Sequence, residues 1–397
     1  MPNTISASKW TGSKPYLHFA ALWGLALMLM LNWPEGYRAF LYLNLIIVVG
    51  HAFSSGKTRV FLGQAAAIAA IPLILTILHM LAVGEVKLIK EVRHLWLATF
   101  TCLSVIILTR GRMGNLRPWL PLSVMLLLAI YCIAQIMGIV VFENPFGTNR
   151  NPHYLALYSS LGFPLAIYCL FFAKYRLRYL MVPVVVALGY FVLHTSSRPA
   201  WIALVVSSLC ILFFVRGKSR MVTAFLILAI PVALFFTNLA GFGDRMSDLA
   251  SNIRNEERVV IWQDAWRMQE ASSLSAWVVG HGLDSYEEDF QSYSRYKQLM
   301  NFTSPHNSFL ETLYTSGIIG LLICIWLYWW IYSRLWRMAE NMSHGKLAML
   351  LMSLVTINLL FIMITIPFVS HYNIYTLALI IGVIFYLKNI RHASNEA

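Results

Sequence analysis

Along most of this chain, apolar residues do not alternate with polar ones. They run together in long stretches broken by short polar clusters. A helix rises about 1.5 Å per residue, so about 20 apolar residues cross a hydrocarbon layer roughly 30 Å thick. Runs long enough fall near 16–32, 37–53, 60–83, 92–109, 119–141, 153–173, 178–195, 199–215, 220–238, 306–332, 347–367 and 371–387. The pattern predicts an all-α polytopic membrane protein of about twelve transmembrane helices. The connections are short except for 239–305, which divides the chain into nine spans over 1–238, one large helical loop, and three spans over 306–397.

The loop has its own pattern. From Asn255 to Glu270, the apolar residues Val259, Ile261, Trp262, Ala265, Trp266 and Met268 recur at helical spacing, with Asn255 as N-cap. Two tryptophans on one stripe suit a helix lying on a membrane surface or covering a cavity. A second helix is expected over about 284–299, after the turn Gly280-His281-Gly282. A long ordered loop on a compact membrane core is usually functional.

Composition agrees: 59% of residues are hydrophobic and 12% charged, where soluble domains carry about 25% charged residues. Lys and Arg set the orientation. With both termini cytoplasmic, eighteen cations fall in cytoplasmic segments. Six (Arg38, Lys87, Lys90, Arg93, Arg150 and Arg198) fall in short external ones. The long loop is then external. The net +13 is mostly this asymmetry. No Arg-rich or aromatic-interleaved patch indicates nucleic acid, and the basic loops need only membrane lipids as partners. The first span is too long for a signal-peptide core and is expected to stay as an anchor. All five cysteines lie in predicted spans, so no disulfide staples the loop. No Cys/His spacing or acidic pair indicates a metal or other cofactor. The chain lacks the internal repeats of inverted-repeat transporters.

The candidate chemistry gathers on the external face. The loop ends at Thr303-Ser304-Pro305-His306-Asn307-Ser308-Phe309-Leu310-Glu311. Ser304 reads as an N-cap and Pro305 as the first helical residue, which places His306 in the first turn, where the helix dipole disfavours imidazolium. A neutral imidazole there can take a proton from a hydroxyl; its plainer role is to anchor a helix end. Arg198, in Ser197-Arg198-Pro199 at a helix start, suits a phosphate. Arg258 lies one turn before Trp262 and either stacks on that indole or reaches toward the membrane face. Lys90, Arg93 and His94 cluster with Lys87 in one short loop, where Glu85 and Glu91 offer pairing. Glu311 sits one turn beyond Asn307, and an ionisable residue at that depth is either functional or paired with an arginine. One base beside several cations suits displacement of an anionic leaving group without a metal.

The stretch from Pro305 through His306, Asn307 and Glu311 to Gly317 and Gly320 resembles the signature of the bacterial O-antigen ligase and polymerase superfamily. Phe146-Gly147-Thr148-Asn149-Arg150-Asn151-Pro152-His153 resembles that family's Gly…Asn-Pro-Asn loop, with His153 in place of the usual second Asn. Ser-Arg-Pro at Arg198 and the helix from Arg258 to Trp266 correspond to two more family positions. The resemblance implies a membrane glycosyltransferase of the C type, set in a bacterial inner membrane with the long loop and the active site facing the periplasm. Such an enzyme moves O-antigen from undecaprenyl diphosphate to a terminal sugar of lipid A-core without metal or ATP. It also implies His306 as base and Arg198 and Arg258 on the diphosphate; Lys90, Arg93, His94, Arg150, Asn151, Asn307 and Glu311 stand beside them as further substrate-side candidates. Length, twelve spans and one dominant late loop favour ligase. The alternatives are O-antigen polymerase and a non-enzymatic transporter of the same lipid-linked oligosaccharide.

Overall fold

The computed structural model describes residues 14–54, 59–84, 90–110, 119–173, 176–212, 257–293, 304–340 and 345–395, less positions 142, 150, 367 and 369, with scattered positions between 220 and 247. Among these residues all regular structure is helical. The chain is an all-α polytopic membrane protein. Among the described residues eight helices precede the loop: α1 (Lys14–Met30), α2 (Pro34–Ser54), α3 (Arg59–Val83), α4 (Lys90–Arg110), α5 (Trp119–Val140), α6 (Pro152–Phe172), α7 (Met181–His194) and α8 (Arg198–Leu212). The loop contributes α9 (Glu257–Glu270), α10 (Leu274–Val279) and α11 (Tyr286–Tyr293), and α12 (Ser308–Ala339), α13 (Gly345–Ile364) and α14 (His371–Asn395) follow.

Seven described helices are long and apolar enough to cross a membrane, and Leu17–Met30 and Tyr372–Phe385 are shorter apolar stretches. The expected span at 220–238 falls largely outside the described residues, as does the expected cap at Asn255. The second loop helix is shorter than the pattern predicts, Tyr286–Tyr293 rather than about 284–299. The six-residue α10 was not expected; its Ser273 cap accepts a hydrogen bond from Ala276 N.

The helices are pinned by large buried side chains, among them Tyr131, Phe191, Phe361 and Tyr375, and by polar pairs between helices. Tyr328 donates to Asn358 Oδ1 at 2.8 Å, Tyr131 meets Ser159 at 3.2 Å, and His94 Nδ1 meets Tyr375 Oη at 2.7 Å. In hydrocarbon these bonds fix helix register where hydrophobicity, equal on all sides, does not.

One junction decides how the loop sits. Gly317 interrupts α12 at φ +64, ψ −169. The break turns the carbonyls of Tyr314 and Thr315 away from their own helix, and the loop supplies the missing donors. His281 N donates to Tyr314 O at 3.0 Å and Gly282 N to Thr315 O at 2.9 Å. Inside a membrane protein such freed carbonyls need partners, so kink and loop form together. Leu283 N also donates to His79 Nδ1 at 3.1 Å, tying the loop to α3.

Candidate active site at the loop end of the bundle

Helix α13 ends at Ile364, and its last carbonyls have no helical partner. Two side chains from the start of α12 approach them. His306 Nδ1 lies 3.1 Å from Thr365 O, and Ser308 Oγ donates to Ile366 O at 2.7 Å. A carbonyl oxygen only accepts, so Nδ1 carries the proton, and in the neutral imidazole the lone pair is on Nε2.

The helix start differs from expectation. Asn307, not Ser304, is the N-cap: its Oδ1 accepts from Phe309 N at 3.0 Å and Leu310 N at 3.2 Å. His306 therefore precedes the helix, with a left-handed φ of +51°, a conformation that His tolerates better than most residues. Ser304 Oγ instead accepts from His306 N at 3.2 Å. The reason is tertiary. The pull of Thr365 O on the imidazole and of Ile366 O on Ser308 sets the backbone, and a local capping rule cannot contain either. Asn307, a substrate-side candidate by sequence, has its side-chain oxygen committed to the cap.

His306 lines a cavity of about 410 Å³, within the usual range for small-molecule sites. Lys90, His94 and Asn151 line it too, as does Glu311, so four more sequence candidates converge here. Asn151 also caps α6, accepting from His153 N at 2.8 Å, with Pro152 opening the helix. The preceding turn, Gly147–Asn149, is clamped by Gln135, which donates to Thr148 Oγ1 and accepts from Thr148 N. Arg93 is exposed and is not part of the cavity wall, and Arg150 lies outside the described residues.

The arginines are placed differently from each other. Arg258 opens the first turn of α9, and its charge acts on His153. The His153 and His306 rings are 6.4 Å apart. One turn on, Trp262 Nε1 donates to Pro305 O at 3.0 Å, which holds α9 against the His306 loop. Arg198 begins α8, half-buried and outside the cavity wall. Its turn belongs to the same end of the bundle, because His194 Nε2 lies 2.9 Å from Pro145 O in the segment leading to Asn151.

Residues 183–325, from α7 through the loop and past the kink of α12, match the family model described as O-Antigen ligase. That stretch of the chain is similar to the O-antigen ligase family. The matched stretch holds Arg198, Arg258, His306 and Glu311. A protein of Haemophilus influenzae (strain ATCC 51907 / DSM 11121 / KW20 / Rd), described as uncharacterized, is 28% identical over 147 residues, 33% of this chain and 37% of the relative. The chain thus spans well under half the length of that relative.

Among the cavity residues that the sequence did not mark as site candidates are His153, Tyr286 and Thr365. Together with Glu311 they share a property. Among the described residues, His153 Nδ1, Tyr286 Oη, Glu311 Oε2 and Thr365 Oγ1 are each sealed from solvent with no hydrogen-bond partner. A buried polar atom left unpaired costs about 1–3 kcal/mol, so four around one cavity mark a place built for something polar. The expected alternative for Glu311, an ion pair with an arginine, is not found among the described residues. Departure from the family loop at His153 was the one readable signal; Tyr286 and Thr365 carried none.

Proposed function

We propose that this protein is an O-antigen ligase. It takes polysaccharide from undecaprenyl diphosphate and attaches it to a terminal sugar of lipid A-core, at the periplasmic face of the inner membrane. The carrying observation is the tautomer of His306. With Nδ1 donating to Thr365 O, the basic nitrogen is Nε2, the atom able to take a proton from the acceptor hydroxyl. The hydroxyl oxygen then attacks the anomeric carbon of the donor. The bond from that carbon to the diphosphate oxygen breaks, and undecaprenyl diphosphate leaves with the electron pair. One in-line displacement inverts the anomeric centre. Arg258, beside His153 and His306, meets the charge growing on the diphosphate, and Arg198 adds a second guanidinium at the same end of the bundle. The N-termini of α6, α8 and α12 at that end favour an anion in the same sense.

A strain lacking the chain is the direct test. Loss of a ligase leaves long polymer on the carrier lipid and none on lipid A-core. Loss of a polymerase leaves single repeats on lipid A-core, and that result would replace the ligase reading.

A further inference from the structure

The four unpaired atoms around the cavity come from four elements: His153 from the start of α6, Tyr286 from α11, Glu311 from α12 and Thr365 from the turn after α13. Their chemistry is mixed. A carboxyl, two hydroxyls and an imidazole between them donate and accept. A diphosphate is an acceptor and wants donors alone, and Glu91, Asp284 and Glu287 on the wall, against the cation Lys90, would repel it. A sugar, with hydroxyls that donate and accept around a ring, matches the set.

We infer that Glu311, Tyr286, Thr365 and His153 form the pocket for the acceptor's terminal sugar, and that this pocket selects a non-phosphorylated sugar. The assignment rests on His306 being the base, which lines the same cavity. It divides the site by charge: the guanidinium of Arg258 serves the leaving diphosphate, and the acidic wall serves the attacking sugar. Glu311 is close enough that its carboxyl, after burial itself, pushes the Tyr286 phenol above its ordinary range. A sugar hydroxyl between the two would hydrogen-bond to both.

The test uses the purified full-length protein, lipid A-core from a strain lacking the chain, and lipid-linked polysaccharide from the same strain. Glu311→Gln and Tyr286→Phe should each raise the acceptor KM about threefold or more, the size expected for one neutral hydrogen bond. The donor KM and inhibition by inorganic pyrophosphate should stay within about twofold, since neither residue faces the diphosphate. Arg258→Lys should do the reverse. Tyr286→Phe keeps the ring stacked on Phe290, so it stays informative if Glu311→Gln does not fold. Wild-type protein supplies an independent arm, in which methyl hexosides compete with the acceptor and their 6-phosphates do not. An unchanged acceptor KM in both variants, equal shifts in donor and acceptor KM, or competition by the 6-phosphates would overturn the assignment. Full activity of His306→Ala would instead sink the underlying base assignment, so the two failures are separable.

Discussion

Gly317→Ala tests whether the kink in α12 builds the site. Gly317 occupies backbone space that is nearly glycine-only, and an alanine held there costs about 1–3 kcal/mol. Its Cβ would also lie 2.3 Å from Val278 O and 2.7 Å from Gly280 N. These are backbone atoms and cannot rotate away as a side chain could. Relief requires moving the 278–282 segment, which breaks the amide bonds from His281 and Gly282 at about 0.5–1.5 kcal/mol each. The sum, about 2–6 kcal/mol, exceeds what a local adjustment absorbs. The helix then straightens and reclaims its own carbonyls, the loop leaves, and the cavity loses the wall formed by Leu283, Asp284 and Tyr286. Transfer should fall to background while the protein stays in the membrane. Hydrogen exchange in detergent should show the His281 and Gly282 amides unprotected. Gly63→Ala, whose Cβ would meet nothing within 4 Å, is the control and should behave as wild type. Normal transfer with intact protection at both amides in Gly317→Ala would refute the reasoning.

Other outcomes follow from the same geometry. His306→Ala should abolish transfer by purified protein; His306→Asn should do so with less backbone disturbance, because Asn accepts a left-handed φ, and near-normal transfer by either would remove the base. Arg198→Lys and Arg258→Lys should each lose about 1.5–3 kcal/mol of transition-state stabilisation, read from kcat/KM, since an ammonium cannot grip a phosphate with two parallel bonds; fully active lysine variants would reduce both arginines to helix-end anchors. Activity should persist in excess EDTA and gain nothing from magnesium or manganese, the arginines serving the diphosphate; loss on chelation, restored by either ion, would overturn that account. The His281 imidazole, stacked on Tyr314 with Nε2 2.8 Å from Ser272 Oγ, is held below its ordinary value of 6.5 by burial, against the opposing charge of Asp289. The unfolded form therefore binds more protons, so loop docking is at full strength above about 6.5 and weakens as pH falls below it; exchange protection at Gly282 that did not change between pH 7.5 and 5 would contradict this.

The sequence made the architecture legible because membrane spans are written in uninterrupted apolar runs, and a histidine after a long polar loop stands out against them. The loop helix with two tryptophans was readable too, since helical spacing is a local property. What could not be read is long-range. The cap moved from Ser304 to Asn307 because carbonyls at 365 and 366, far along the chain, draw the side chains of His306 and Ser308. The kink at Gly317 leaves no trace in an apolar run, where a glycine looks like any small helical residue. Helix α10 is too short to show a period. Tyr286 and Thr365 look like ordinary loop and turn residues until the fold sets them beside Glu311.

The bond from Trp262 to Pro305 carries a consequence for timing. Proline has no amide hydrogen, so the 305 carbonyl is the hydrogen-bonding group its backbone brings to the indole. That indole stands one turn from Arg258, and the carbonyl stands one peptide from His306. On the proposed reading, proton acceptor and leaving-group cation are thereby joined by a strut and come into register together. Opening the strut would then loosen the imidazole and the guanidinium in the same event. A ligase wired this way would grip the donor only with the base in place, and so would protect a lipid-linked polymer from hydrolysis.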